Sequence, residues 1–467
     1  MNSSDLYTVY KTFNGPEKRA ISKFLASPYL NQRQEVIDLW QYFLKNASAG
    51  RLALKKETVF GELFPGKPYD DALMRHIMSW LLKSIEQYLA YSKYTTTPIN
   101  ETLHLAQAYK NKKLEKLSHK AIKLAGKQLA KMKPGQEAFH FKFMLEYEKY
   151  ELRENKKNNL DHNLSAMAKA LDKHILISKL KQACILRSHQ SLVKAEYDFS
   201  LVKLLLNYVE GSSYLEEPII AAYYNCYLAL TDNNEEAFQE LKESLQKKQS
   251  TFSNDDIKML YFYSINFCIR RLNTGGATYI REAFEMYRFG LKNDILTIEG
   301  VLRQVAYNNI VSIGLKLKEF EWLETFIQDY KPKLLPQHRE SNYIYNLARL
   351  NFTQRKYGKA MKLLHQVDDR HLLLNLNAKV MLLKLYYELQ EYDALSSLLA
   401  SFKMMLTRKK LLSYHKTHYK NIIRFTSRLL NLKPRDQKAY DKLKTDISSA
   451  EVLQEKEWLL AQLELAR

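Results

Sequence analysis

The sequence predicts an all-α protein: helical hairpins stacked in a row, preceded by an N-terminal helical cap. Three observations predict it. The 467 residues include only 13 glycines and 10 prolines, so few positions turn sharply or adopt positive φ, and long helices with short connections follow. Apolar residues recur at helical spacing, as in Leu81, Leu82, Ile85, Tyr88 and Leu89, with no convincing alternating strand run. Finally, KEFEWLETFI (318–327), RKYGKAMKLL (355–364) and QEYDALSSLL (390–399) repeat one pattern. Each has a charged or polar pair, an aromatic ring, a small or apolar residue three positions on, and another apolar residue four beyond that.

Taken in order, residues 1–95 form the cap. Pro16 sits at a first helical position before EKRAISKFLASPYL, a second helix runs through QEVIDLWQYFLKN, and a short third one, ETVFGEL, ends at Phe64-Pro65-Gly66. Asp70 and Asp71 then open the long helix ALMRHIMSWLLKSIEQYLAY, with acids in its first turn as the helix dipole prefers. Short helix, turn and long helix also allow a DNA-reading pair, which would make the protein a DNA-linked regulator. Against that, Asp70 and Asp71 repel phosphate and no basic wing follows. TTTPIN (95–100) reads as a linker and places a boundary near 96, giving a second region of 96–467. There helical stretches alternate with brief polar breaks: RENKKNN, TDNN, NTGG and KLLPQ.

The rings of the three repeated pieces, Phe320, Tyr357 and Tyr392, lie 37 and 35 residues apart, room for two helices and two turns. Upstream, Leu347-Ala348 is followed by Ala360 and Leu364, and Leu382-Leu383 by Tyr386, Leu395 and Leu399. Ile310-Val311 follows Tyr307 and precedes Gly314, Leu323 and Ile327; Tyr224-Asn225, Leu228, Ala237 and Leu241 make a fainter copy. In this spacing a small residue lets two helices approach and a large one four positions on covers the gap. The pattern resembles the tetratricopeptide repeat in degenerate form, best over about 215–403. It departs from that family where Val311, Leu383 and Leu395 replace small residues, and where Pro336 matches the closing proline only approximately. The resemblance implies a right-handed superhelix with a groove, and a scaffold that binds partners. An irregular helical bundle is the alternative.

Net charge is +21 and the sequence pI about 9.4, which points to an acidic partner unless lysine is here simply a good helix former on solvated faces. From Ala394 to Arg435 there are ten basic residues and no acid. Lys416, Lys420, Arg424 and Arg428 recur every four residues on one helical strip, with Arg408, Lys409 and Lys410 before them and Tyr414 and Tyr419 as candidate anchors. Cations at that pitch with rings nearby can follow a phosphate backbone and stack bases, or hold an acidic protein segment. Alternatively, the face is merely solvated and its tyrosines pack inward. A second strip is Lys116, Lys120, Lys123, Lys127 and Lys131, opposite a face of Leu117, Ala121, Leu124 and Leu129. Lysine lacks the planar fork with which arginine grips phosphate.

Catalytic grammar is absent from the sequence. Ala125-Gly126-Lys127-Gln128 lacks the upstream glycine of a phosphate loop, Gly275-Gly276 reads as a turn, and Glu216-Glu217 before Pro218 suits a helix start. His415 and His418 have a metal-compatible spacing but no acidic or cysteine partner nearby, so neither metal nor cofactor is expected. Cys184, Cys226 and Cys268 are too few and too far apart for a disulfide framework, the N-terminus has no leader pattern, and no run approaches a membrane span. The expectation is a cytoplasmic, non-enzymatic scaffold acting through protein–protein contacts without a membrane partner. RNA or ribosome binding through the basic faces is the alternative.

Overall fold

Helix formation follows the periodicity closely. The computed structural model describes residues 4–48, 55–154, 163–190, 193, 195–232, 234–247, 249–273, 275–276, 278–367, 372–408, 413–433, 436–453 and 455–465. These residues are almost wholly helical, and the chain divides into two units, Met1–Ser178 and Lys179–Arg467.

The first unit holds α1 (Asp5–Tyr10), α2 (Gly15–Leu25), α3 (Gln34–Ser48), α4 (Lys56–Leu63), α5 (Asp71–Thr95), α6 (Pro98–Asn111), α7 (Glu115–Leu129) and α8 (Gln136–Glu154). The division falls inside α9 (Leu164–Gln190). Helix α2 starts where Asn14 and Glu17 close a reciprocal capping box around Pro16. Asp70 caps α5 by accepting from the Leu73 N–H at 2.9 Å, while Asp71 pairs with Lys56 and Arg75. Trp40, Phe43, Phe60, Ile77 and Leu81 centre one core. Ile99, Leu103, Ala106, Ala121, Ala125 and Leu145 form another. The boundary expected near 96 falls within this unit, between those two cores. TTTPIN is there a tight turn, because Pro98 starts α6 at once.

The second unit continues with α10 (Ser200–Val209), α11 (Pro218–Asp232), α12 (Glu235–Lys247), α13 (Asn254–Asn273), α14 (Tyr279–Lys292), α15 (Gln304–Lys316), α16 (Phe320–Asp329), α17 (Pro336–Thr353) and α18 (Tyr357–Leu364). It ends with α19 (Leu372–Glu388), α20 (Tyr392–Arg408), α21 (Ser413–Leu430), α22 (Gln437–Ser449) and α23 (Lys456–Leu465). One two-residue antiparallel pair, Thr297–Ile298 with Val301–Leu302, interrupts the helices. Sequential helices pack as neighbours: α11 on α12, α13 on α14, α15 on α16, α17 on α18, α19 on α20.

The repeated pieces have a common physical origin in their first residue. Lys318, Arg355 and Gln390 adopt φ of 61°, 59° and 61°. The next N–H turns back to the carbonyl five residues earlier: Glu319 to Gly314 at 3.0 Å, Lys356 to Asn351 at 2.8 Å, Glu391 to Tyr386 at 2.8 Å. This left-handed cap closes one helix and aims the chain into the next, whose first residue is the ring. Ala348, Ala360, Leu364, Leu383, Leu395 and Leu399 are all buried, and the Tyr386 hydroxyl lies 3.3 Å from His365 Nε2. Leu382 and Leu385 join the core of α17 and α18, whereas Leu376 and Leu383 join that of α20 and α21. The α6–α7 hairpin carries the same device outside the range read from the sequence. Lys113 has φ 59°, Leu114 N–H bonds the Tyr109 carbonyl at 2.9 Å, and fully buried Ala106 and Ser118 stand twelve residues apart, like Ala348 and Ala360.

Candidate functional site

Three residues of the sequence-derived strip line a groove between α20 and α21, about 840 Å³ in volume. Four-residue spacing carries Lys420, Arg424 and Arg428 along one side of α21, and Lys403 joins them from α20. Leu399, Leu406, Ile423 and Leu430 supply apolar lining; Ser396, Ala400 and Ser427 are small enough to leave the space open. Among the described residues no acidic side chain lines it. Helix α21 holds this register because Ile422, Phe425, Thr426 and Leu429 bury its opposite face.

Arg428 is partly engaged: its Nη1 donates to Asp446 Oδ2 of α22 at 2.6 Å, and this bond holds the Asp446 carboxyl below the usual carboxylate range. The Arg424 guanidinium lies 4.4 Å from the Phe425 ring centroid. Lys403, Lys420 and Arg424 make no ion pair among the described residues. Unpaired cations beside a low-dielectric wall attract anionic groups more strongly than the same cations on an open surface. Lys416, one turn before Lys420, is partly buried, and Arg408 is exposed at the end of α20. Tyr414 belongs to the first turn of α21, whereas Lys409 and Lys410 lie outside the described residues.

Tyr419 does not join the strip as an anchor. It is 2% exposed, its hydroxyl donates to Asn377 Oδ1 at 2.8 Å, its ring packs 6.0 Å from Phe402, and burial pushes its pKa up to about 12. The helical stripe Tyr419, Ile422, Thr426, at offsets of three and seven, carries it inward. Phe402 and Phe425 are fully buried too.

In the first unit, Lys116, Lys120, Lys123, Lys127 and Lys131 are all exposed, the last just beyond α7. The helix packs through Ser118, Ala121, Ile122 and Ala125. Leu117 and Leu124, on the face read as opposite the lysines, are 39% and 49% exposed, because each stands one residue before the stripe of Ser118 and Ala125 that packs. The two strips belong to different units.

Cys184, Cys226 and Cys268 are buried thiols. No described helix is long and apolar enough to cross a membrane. The class these features define is an all-α protein of paired helices with a basic groove. No family model, no curated protein and no solved structure matches the chain.

Proposed function

We propose that the protein is a non-catalytic scaffold of the cytoplasm, a degenerate tetratricopeptide-like array that holds a protein partner through its basic groove. The observation that carries this reading is the convergence of Lys403, Lys420 and Arg424, unpaired among the described residues, on a concave space between packed helices. Recurring left-handed caps and twelve-residue small-residue spacings support the repeat reading. A row of such hairpins buries a continuous core and displays a long surface, which suits holding more than chemistry. Binding of RNA or the ribosome is the second reading, favoured by the same unpaired cations.

The test is recovery of the tagged full chain from its own cell extract, with and without ribonuclease, beside a variant in which Lys416, Lys420, Arg424 and Arg428 are all changed to Gln. A protein partner that survives ribonuclease and is lost from the variant supports the scaffold. Partners that vanish with ribonuclease, together with a steep linear fall of log affinity with log salt, overturn it for RNA.

A further inference from the structure

Resting on the scaffold reading, we infer that the α20–α21 groove takes an amphipathic helix of a partner protein, with carboxylates spaced one turn apart on one flank and leucine-sized side chains on the adjacent face. Three features of the groove require both halves of that description. Its cations stand four residues apart on α21, a rise of about 6 Å per step. A second helix laid alongside presents glutamates at the same pitch, so Lys420 and Arg424 each meet one carboxylate, while Lys403 closes from the opposite wall. Leu399, Leu406 and Ile423, whose bulk belongs to the core beneath, and half-buried Leu430 give an apolar floor that a purely charged ligand would leave unused. Ser396 and Ala400, one turn apart on α20, and Ser427 across from them keep the space clear for side chains from outside.

The same features weigh against single-stranded RNA. Sequence-tolerant binding of a single strand pairs cations with exposed rings on which bases stack. Here Phe402, Tyr419 and Phe425 are turned into the core, and among the described residues no aromatic side chain lines the groove. Among the described lining residues a phosphate backbone would find the charges and no ring for its bases.

The experiment measures fluorescence anisotropy of four labelled probes against the full chain. One is a 16-residue helical peptide with Glu at four-residue intervals and Leu on the adjacent face; the others are its Glu→Lys form, its Leu→Ser form and a 12-mer oligouridylate. The acidic amphipathic peptide is expected to bind at least tenfold more tightly than each of the others. Two protein variants accompany it. K403E/K420E/R424E should lose at least tenfold, and Ala400→Phe, which fills the groove from an exposed position without touching a charge, should lose a similar factor with an unchanged thermal melt. Equal binding of the Leu→Ser peptide, or indifference to Ala400→Phe, would reduce the groove to unspecific charge attraction and overturn the inference. Tighter oligouridylate binding would overturn it in favour of RNA. If the acidic peptide fails while the ribonuclease-resistant partner still binds, the scaffold stands and this occupant is wrong; if both fail, the scaffold reading falls with it.

Discussion

Gly314→Ala tests how α15 and α16 nest. In a helix interior, replacing glycine by alanine ordinarily stabilises by about 0.5–1 kcal/mol. At Gly314 a Cβ would stand 2.7 Å from Leu323 Cδ2 and 2.9 Å from its Cγ. Leu323 is fully buried and cannot swing clear into solvent. The overpacking cost of about 1–3 kcal/mol therefore outweighs the propensity gain, for a net loss of up to about 2.5 kcal/mol. Leu323→Ala alone should cost about 2–5 kcal/mol through lost burial and the cavity left behind. In the double variant the alanine methyl has room, so Gly314→Ala should become neutral or stabilising, a coupling of about 1–3 kcal/mol. Urea unfolding followed by circular dichroism on all four proteins reads the cycle from the transition midpoints. Stabilisation by Gly314→Ala alone, or additive effects, would refute the close approach of the two helices.

Other outcomes follow from neighbouring features. Arg355→Gly should raise stability by about 1 kcal/mol, because the arginine occupies a left-handed conformation that costs an L-residue about 1–2 kcal/mol and glycine little; a lower denaturation midpoint would count against the cap. Tyr419→Phe should cost about 0.5–1.5 kcal/mol through the lost bond to Asn377, with partner affinity unchanged in a binding titration, whereas a tenfold affinity loss would return the ring to the binding surface. Burial pushes the Cys268 thiol up to about 12, against about 8.5 in an unfolded chain. The folded state therefore favours the protonated thiol, so this contribution is intact below about pH 8.5 and is lost as pH rises towards 12. Thermal melts of wild type and Cys268→Ala should accordingly differ in slope across that window.

The helical class and the hairpin rhythm were legible because both are written locally. A ring, a small or apolar residue three on and an apolar residue four beyond occupy one face of one helix, and the cap before the ring uses neighbouring residues only. Lys420, Arg424 and Arg428 were legible for the same reason. The rest of the groove was not. Lys403, Ser396 and Ala400 reach it only because α20 packs against α21, and no spacing within either helix records that contact. Tyr419 was open to a stricter reading, since its offsets of three and seven to Ile422 and Thr426 put it on the buried stripe. The α6–α7 copy escaped because Leu114 and Glu115 follow its cap where the other hairpins place a ring, leaving the Ala106–Ser118 spacing as its signal.

Because Leu382 and Leu383 are adjacent on α19 yet serve different cores, that helix is a party wall between two rooms. Whatever steadies one side is felt on the other, with an influence that fades hairpin by hairpin, as in a row of coupled springs. A helix seated against α20 and α21 would press on α19 through Leu399 and Leu395, and through α19 on Ala348 and Ala360. Occupancy at this end of the row would then be audible, in diminishing volume, as slowed amide exchange in α17 and α18.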